Sequence, residues 1–249
     1  MICAEVRLSV EGDNPPVVRA AGALTYENCD SLGDLIKGAF TGATVELDLG
    51  DLDFVDSSGL RILVTAARDA RRAGRLVRIV ALRRQLSHVL DVSQFRSLFE
   101  ITAQPAEYTA KESLLAPEES PDFQALPTFD ACHDARQTVR HYAASMGFNS
   151  EALDDICLAV GEAVSNAVRH GSCADGEPID ISCRRADRRL RVTLSYPSSV
   201  FDPQSVPEPE LDAFPRGGMG IYFMKLVMDK VEYTFADGRA LLTLEKLLD

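Results

Sequence analysis

The chain has 249 residues, 46% of them hydrophobic and 26% charged, which suffices for two domains of roughly 100–150 residues each and excludes a wholly disordered chain. Its 26 Lys and Arg against 38 Asp and Glu leave a net charge of −12. Phosphodiester backbones repel such a chain unless its basic residues share one face, so no nucleic-acid partner is expected.

The opening MICAEVRLSVEGD is too acidic and too short in apolar core for a signal peptide. No stretch reaches the roughly 18–20 apolar residues of a membrane span, so a cytoplasmic location and no membrane partner are expected. Cys3, Cys29, Cys132, Cys157, Cys173 and Cys183 stand far apart, without C-x-x-C pairs or zinc spacing. They are expected to be reduced and mostly buried.

Through residues 1–104, β-type runs alternate with helical ones. CAEVRLSV and VVRAAG are expected as strands, NCDSLGDLIKGAF as a helix and TVELDLG as a strand. After DSSG, Leu60, Leu63, Val64, Ala67 and Ala70 recur at helical spacing, and the strand LVRIVAL follows Gly74. QLSHVLDV and SQFRSLFEI are expected as short closing helices, so that strands and helices alternate around one sheet.

Residues 105–125 carry three prolines and five acidic residues without a sustained period, the composition of a linker. A linker of about 20 residues at ~5–6 Å × √n reaches ~25 Å, so an intramolecular contact between the two domains is expected.

Residues 126–249 open with the helix FDACHDARQTVRHYAASMGF, ending at Gly147. SEALDDICLAVGEAVSNAVRHG follows as a longer helix, with Ser150 as its expected N-cap and Gly171 as its stop. PIDISCRRA and RLRVTLSY are expected strands, GGMGIYFMKLVM opens a helix, and KVEYTFADGRALLTLEKL forms a hairpin turning at Asp237–Gly238. The fold class is thus α/β with two domains: an N-terminal sheet with helices and a C-terminal α/β sandwich.

Arg61, Arg68, Arg71, Arg72, Arg75, Arg78, Arg83 and Arg84 cluster without interleaved aromatics. A solvated helix flank running into a strand is the plain reading, and a partner-docking patch the sharper one.

Asp56, Ser57, Ser58 and Gly59 fall between a strand and a helix. Helix N-terminal amides point outward and stabilise negative charge, so a hydroxyl there is suited to carry phosphate. Simple capping by Asp56 and the serines is the alternative. The block from VELDLGDLDFVDSSGLRILV to FRSLFEI resembles the STAS domain of bacterial anti-sigma factor antagonists. That resemblance implies phosphorylation by a partner kinase on Ser57, with Ser58 the second choice. Thr25 stands where many members carry aspartate after Gly-x-Leu, a departure on the kinase-facing surface.

On the second long helix, Leu153, Ile156, Val160, Ala163 and Ala167 form an apolar face, while Glu162 and Asn166 share another at i and i+4. A carboxylate and a carboxamide one turn apart supply oxygen ligands for Mg²⁺ and a proton acceptor, although a solvated polar face has the same pattern. EAVSNAVRHG and PRGGMGIYFMKLVMDKVEY resemble the N-box and glycine-rich box of the anti-sigma-factor serine kinases, members of the GHKL ATPase superfamily. The resemblance implies ATP and Mg²⁺ as cofactors, Glu162 as catalytic base and Asn166 as metal ligand. Arg216, Gly218 and Gly220 would lie around the phosphates.

Between these boxes the family pattern Asp-x-Gly-x-Gly-Phe-Asp-Pro is replaced by YPSSVFDP. Aligned on Phe201, Asp202 and Pro203, Tyr196 replaces the adenine-binding aspartate, and Ser198 and Val200 replace the two glycines. Tyrosine offers no carboxylate, and its ring needs the space of the base. A pocket that no longer binds ATP well is therefore expected.

The resemblances together imply a partner-switching regulator. Its STAS serine would be phosphorylated, and its kinase-like domain would hold a sigma factor or a STAS or anti-sigma partner. The alternative is an active serine kinase acting on a STAS serine in cis or in trans. Relatives of this kind often dimerise through the kinase-like domain, so a homodimer is also expected. A histidine-kinase or chaperone-type ATPase fits less well, because no helix pair with an acceptor histidine precedes the N-box. His88, His133, His141 and His170 are scattered, and of these only His170 adjoins the candidate pocket.

Overall fold

The computed structural model describes residues 6–105, 120–171, 176–198 and 219–248, with the backbone alone at 129–131. The chain divides into two compact units, Met1–Lys111 and Glu112–Asp249. Cys3, Cys173, Val200, the Phe201–Asp202–Pro203 anchor, Arg216 and Gly218 lie outside the described residues, as does most of the expected linker.

The first unit is a five-stranded sheet in the order β1-β2-β3-β4-β5, formed by Arg7–Glu11, Val17–Leu24, Thr44–Val55, Leu76–Leu82 and Glu100–Ile101. Only β1 and β2 pair antiparallel; the other neighbours are parallel. Parallel neighbours require crossovers, and helices α1 (Cys29–Ala39) and α2 (Ser57–Arg72) provide them. Every apolar position expected on α2, from Leu60 to Ala70, is buried. Helix α3 (Arg84–Val92) forms as expected, but SQFRSLFEI does not continue as a helix. It becomes a single 3₁₀ turn at Arg96–Leu98 and the short strand β5, with Gln94 at φ 62° breaking the chain direction.

The clustered arginines are engaged within this unit. Arg78 pairs with Glu46 at 2.9 Å and Glu100 at 3.1 Å, Arg83 with Asp53 at 3.0 Å, and Arg72 with Asp69 at 3.4 Å. Arg68 lies over the Phe95 ring and Arg75 over the Phe40 ring, so these two guanidinium groups face aromatic rings while Arg72, Arg78 and Arg83 meet local carboxylates. These contacts favour the solvated flank over a docking patch.

The second unit carries an antiparallel sheet in the order β6-β7-β8-β10-β9, comprising Asp122–Ala125, Ile179–Ala186, Arg189–Pro197, Arg239–Leu247 and Lys230–Ala236. Strand β6 falls inside the stretch expected as linker, where it adds an edge to β7 from Asp122↔Ser182 to Ala125↔Ile179. Helices α4 (Phe129–Ser145) and α5 (Ser150–His170) precede β7, and α6 (Met219–Val227) precedes β9. The N-cap of α5 is Asn149 rather than Ser150: its side chain accepts from Ala152 N at 2.9 Å. The β9–β10 hairpin turns at Asp237 and Gly238, at φ 53° and 74°, the left-handed pair that a two-residue turn of this hand requires.

Helix α5 is the core of this unit, buried almost without interruption from Leu153 to Ala167. Two of its carboxylates meet cations from neighbouring elements. Arg140 of α4 reaches Asp154 at 3.3 Å, and Lys246 of β10 bonds Asp155 at 2.7 Å. Such pairs place helices precisely in register because removing one partner strands the other charge in a poor solvent.

Cys29, Cys132, Cys157 and Cys183 are free and buried. Burial, then the neighbouring Asp30 and Asp56, pushes the Cys29 thiol up to about 11, and burial pushes Cys183 up to about 12. The unfolded chain therefore loses thiol protons first as pH rises, so the stability these groups contribute is complete below pH ~9 and declines between there and about 11–12. The urea midpoint is expected to fall between pH 8 and pH 10, and less steeply in Cys183→Ala; equal declines in the two proteins would contradict this.

Candidate functional site

In the first unit, Leu24 ends β2 and Val55 ends β3, so the loop from Thr25 and the start of α2 meet at one end of the parallel sheet. Asp56 joins them. Its Oδ1 accepts from Ser58 N and Gly59 N, each at 2.8 Å, and its Oδ2 accepts from Tyr26 N at 3.1 Å. The capping role expected for this aspartate is thus realised, and it also ties the helix to the preceding loop. Gly59 is required here because a Cβ would lie 2.6 Å from Leu24 O.

Ser57 and Ser58 stand beside this clamp, 6% and 8% exposed, and Thr25 is 3% exposed. Two of the outward amides at the helix start are already occupied by Asp56. A phosphate on Ser57 would add about −1.5 to −2 charges beside a carboxylate, so modification would disturb the loop as well as recolour the surface. Tyr26, held by its own amide to Asp56, is exposed in the loop that this clamp ties down.

In the second unit, α5 projects Glu162 and Asn166 from the same face, and α6 begins directly above them. Glu162 is fully buried, not the solvated carboxylate that its spacing alone would allow. A Cβ on Gly220 would lie 2.5 Å from Glu162 Oε2 and 3.4 Å from both terminal atoms of the Asn166 carboxamide. Of the glycine-rich box, Gly220 is thereby brought onto the Glu162–Asn166 pair.

The Asn166 carboxamide is engaged through its oxygen: Arg169 Nη2 donates to Asn166 Oδ1 at 3.0 Å. On β9, burial first, then Tyr196 and Glu162, push the Tyr233 phenol above its ordinary range, and the Asn166 side chain opposes them. Tyr196 is itself buried, 4% exposed in β8. Neither Arg169 nor Tyr233 was among the expected site residues. Arg169 had a signal in its i+3 spacing from Asn166, whereas Tyr233 is delivered by the sheet. His170 is exposed, and partial desolvation followed by Arg169 holds its pKa below the usual histidine value.

Mg²⁺ on Asn166 Oδ1 would sit at ~2.1 Å. With Arg169 retained 3.0 Å from the same oxygen, the two cations would lie within about 5 Å, a repulsion on the order of several kcal/mol even at protein-like screening. Tyr196 supplies no carboxylate for a base amino group. The described residues therefore do not fit a magnesium ion on Asn166 Oδ1 while Arg169 holds that oxygen. Among the described residues, no group of three or more His, Cys, Asp or Glu could hold a metal ion, and no helix is long and apolar enough to cross a membrane.

The histidine kinase-like ATPase domain family matches residues 123–246, and the family described as Mlab, STAS domain matches residues 9–100. The serine-protein kinase RsbW of Bacillus licheniformis is 31% identical over 113 residues, 41% of this chain and 70% of that protein. The anti-sigma F factor of Clostridium acetobutylicum is 30% identical over 112 residues, 42% of this chain and 76% of that protein. A crystal structure of the RsbU and RsbW domains of a Mycobacterium tuberculosis protein is 22% identical, with a TM-score of 0.41. It covers 53% of this chain, which spans only 33% of that one.

Gly220→Ala is expected to lose about 1–3 kcal/mol by overpacking, because the new methyl meets a buried carboxylate. Gly38→Ala, in α1 with nothing within 4 Å of its would-be Cβ, is expected to gain about 0.5–1 kcal/mol through helix propensity. Urea denaturation of both variants checks the contrast; equal effects would contradict the close packing at Gly220.

Proposed function

Given that the chain belongs, through its C-terminal domain, to the histidine kinase-like ATPase family that includes the RsbW serine-protein kinases, and joins that domain to a STAS domain, we propose that it is a partner-switching regulator whose kinase-like domain works as a protein-binding module. Its clients would be a sigma factor or a STAS or anti-sigma protein. The observation that carries this reading is the Asn166 oxygen engaged by Arg169 at 3.0 Å, in a domain whose strand β8 buries Tyr196.

Ser57 is the proposed phosphorylation site, with Ser58 second. A phosphate at the Asp56 clamp would load charge onto the junction of α2 and the Thr25–Asn28 loop, altering the surface around exposed Tyr26. Binding of a partner to that surface would then depend on phosphorylation. Buried free thiols support a reducing, cytoplasmic setting. Homodimerisation through the kinase-like domain belongs to the same proposal.

A second reading, an active serine kinase, is favoured by one feature: Glu162, Asn166 and Gly220 converge. In that reading Glu162 is the base that takes the serine proton, Asn166 the metal ligand, and Arg216 and Gly218 complete the phosphate cradle.

Phosphoserine mapping by mass spectrometry separates the two. Incubated with Mg·ATP alone, the purified chain is expected to remain unmodified; supplied with an active anti-sigma-type serine kinase, it is expected to gain phosphate at Ser57, and Ser57→Ala to lose it. Self-phosphorylation at Ser57 that disappears in Glu162→Gln would establish the kinase instead.

A further inference from the structure

Asn166 offers a single side-chain oxygen, and that oxygen faces a guanidinium. Arg169 lies one turn along the same helix, half-buried, with Nη2 3.0 Å from Asn166 Oδ1 and Nε directed at Ser165 O at 3.4 Å. Gly220 packs against the carboxamide, a Cβ there lying 3.4 Å from both of its terminal atoms, which leaves no space for a larger displacement toward α6. The neighbouring Glu162 carboxylate is buried at 0% exposure, an arrangement that calls for positive charge or donors close by.

We propose that Arg169 is a built-in cation that takes the place of a divalent metal at Asn166 Oδ1. Resting on the reading of this domain as a binding module, the proposal assigns a chemical cause to it beyond the altered adenine box. Glu162 and Asn166 then have a structural use: they form the polar floor on which the start of α6 is seated. Retention of both residues is in this account compatible with a site that does not use a nucleotide. A guanidinium is suited to the task because it stays charged at every physiological pH and donates from a rigid planar fork.

The test uses the full chain and Mn²⁺ alone, followed by electron paramagnetic resonance and by thermal melting. The wild type is expected to take up no Mn²⁺ at this site below millimolar concentration. Arg169→Met and Arg169→Gln remove the charge while keeping much of the side chain's bulk, and at least a tenfold gain in Mn²⁺ affinity is expected. Adding Asn166→Ala to either should abolish the gain. Arg169→Lys keeps a cation and is expected to fold and to stay indifferent to Mn²⁺, which keeps the test decisive should the neutral variants unfold.

Neutral variants that fold and bind no more Mn²⁺ than the wild type overturn the proposal, as does a lysine variant that takes up Mn²⁺ at submillimolar concentration. A wild-type chain that bound nucleotide but no free Mn²⁺ would defeat the binding-module reading while leaving the role of Arg169 intact. Failure of the two ideas is thereby distinguishable.

Discussion

The Asn166 side chain has one acceptor and one amino group, and the chemistry of the C-terminal domain turns on how they are engaged. With Arg169 on the oxygen, the group is already engaged within α5. Glu162 lies buried one turn earlier, under Gly220. Helices α5 and α6 thus meet over two polar side chains. Their packing gives this region of an α/β sandwich a reason to hold its shape, whether or not a ligand visits it.

The N-terminal domain shows the same economy in another form. Asp56 satisfies amides on both α2 and the preceding loop, so a single carboxylate couples a helix start to the chain that leaves β2. Ser57 and Ser58 inherit their environment from that clamp. A charge added there would act on a junction rather than on an isolated surface residue.

Much of this architecture was legible in the sequence, for physical reasons that can be named. The apolar faces of α2 and α5 follow from a helical period sustained over four or more turns, and the Asp237–Gly238 turn follows from residues tolerant of positive φ. Strand β6 was hidden because its four residues, DFQA, are too few to display alternation inside an acidic, proline-bearing stretch. Asn149 and Ser150 are both good cap residues, and only the geometry of the Ala152 amide decides between them. At the site, Glu162 and Asn166 were visible through spacing and resemblance, and the substitution at Tyr196 through the broken box. Arg169 was hidden by rotamer choice, although its guanidinium occupies the Asn166 oxygen.

Calorimetric titration of the full chain with ATP in millimolar Mg²⁺ tests the central claim most directly. The account predicts no binding heat up to millimolar nucleotide, because Asn166 is engaged by a guanidinium and Tyr196 replaces the carboxylate that would meet the base. Saturable binding at micromolar nucleotide would contradict it and return the domain to the working kinases.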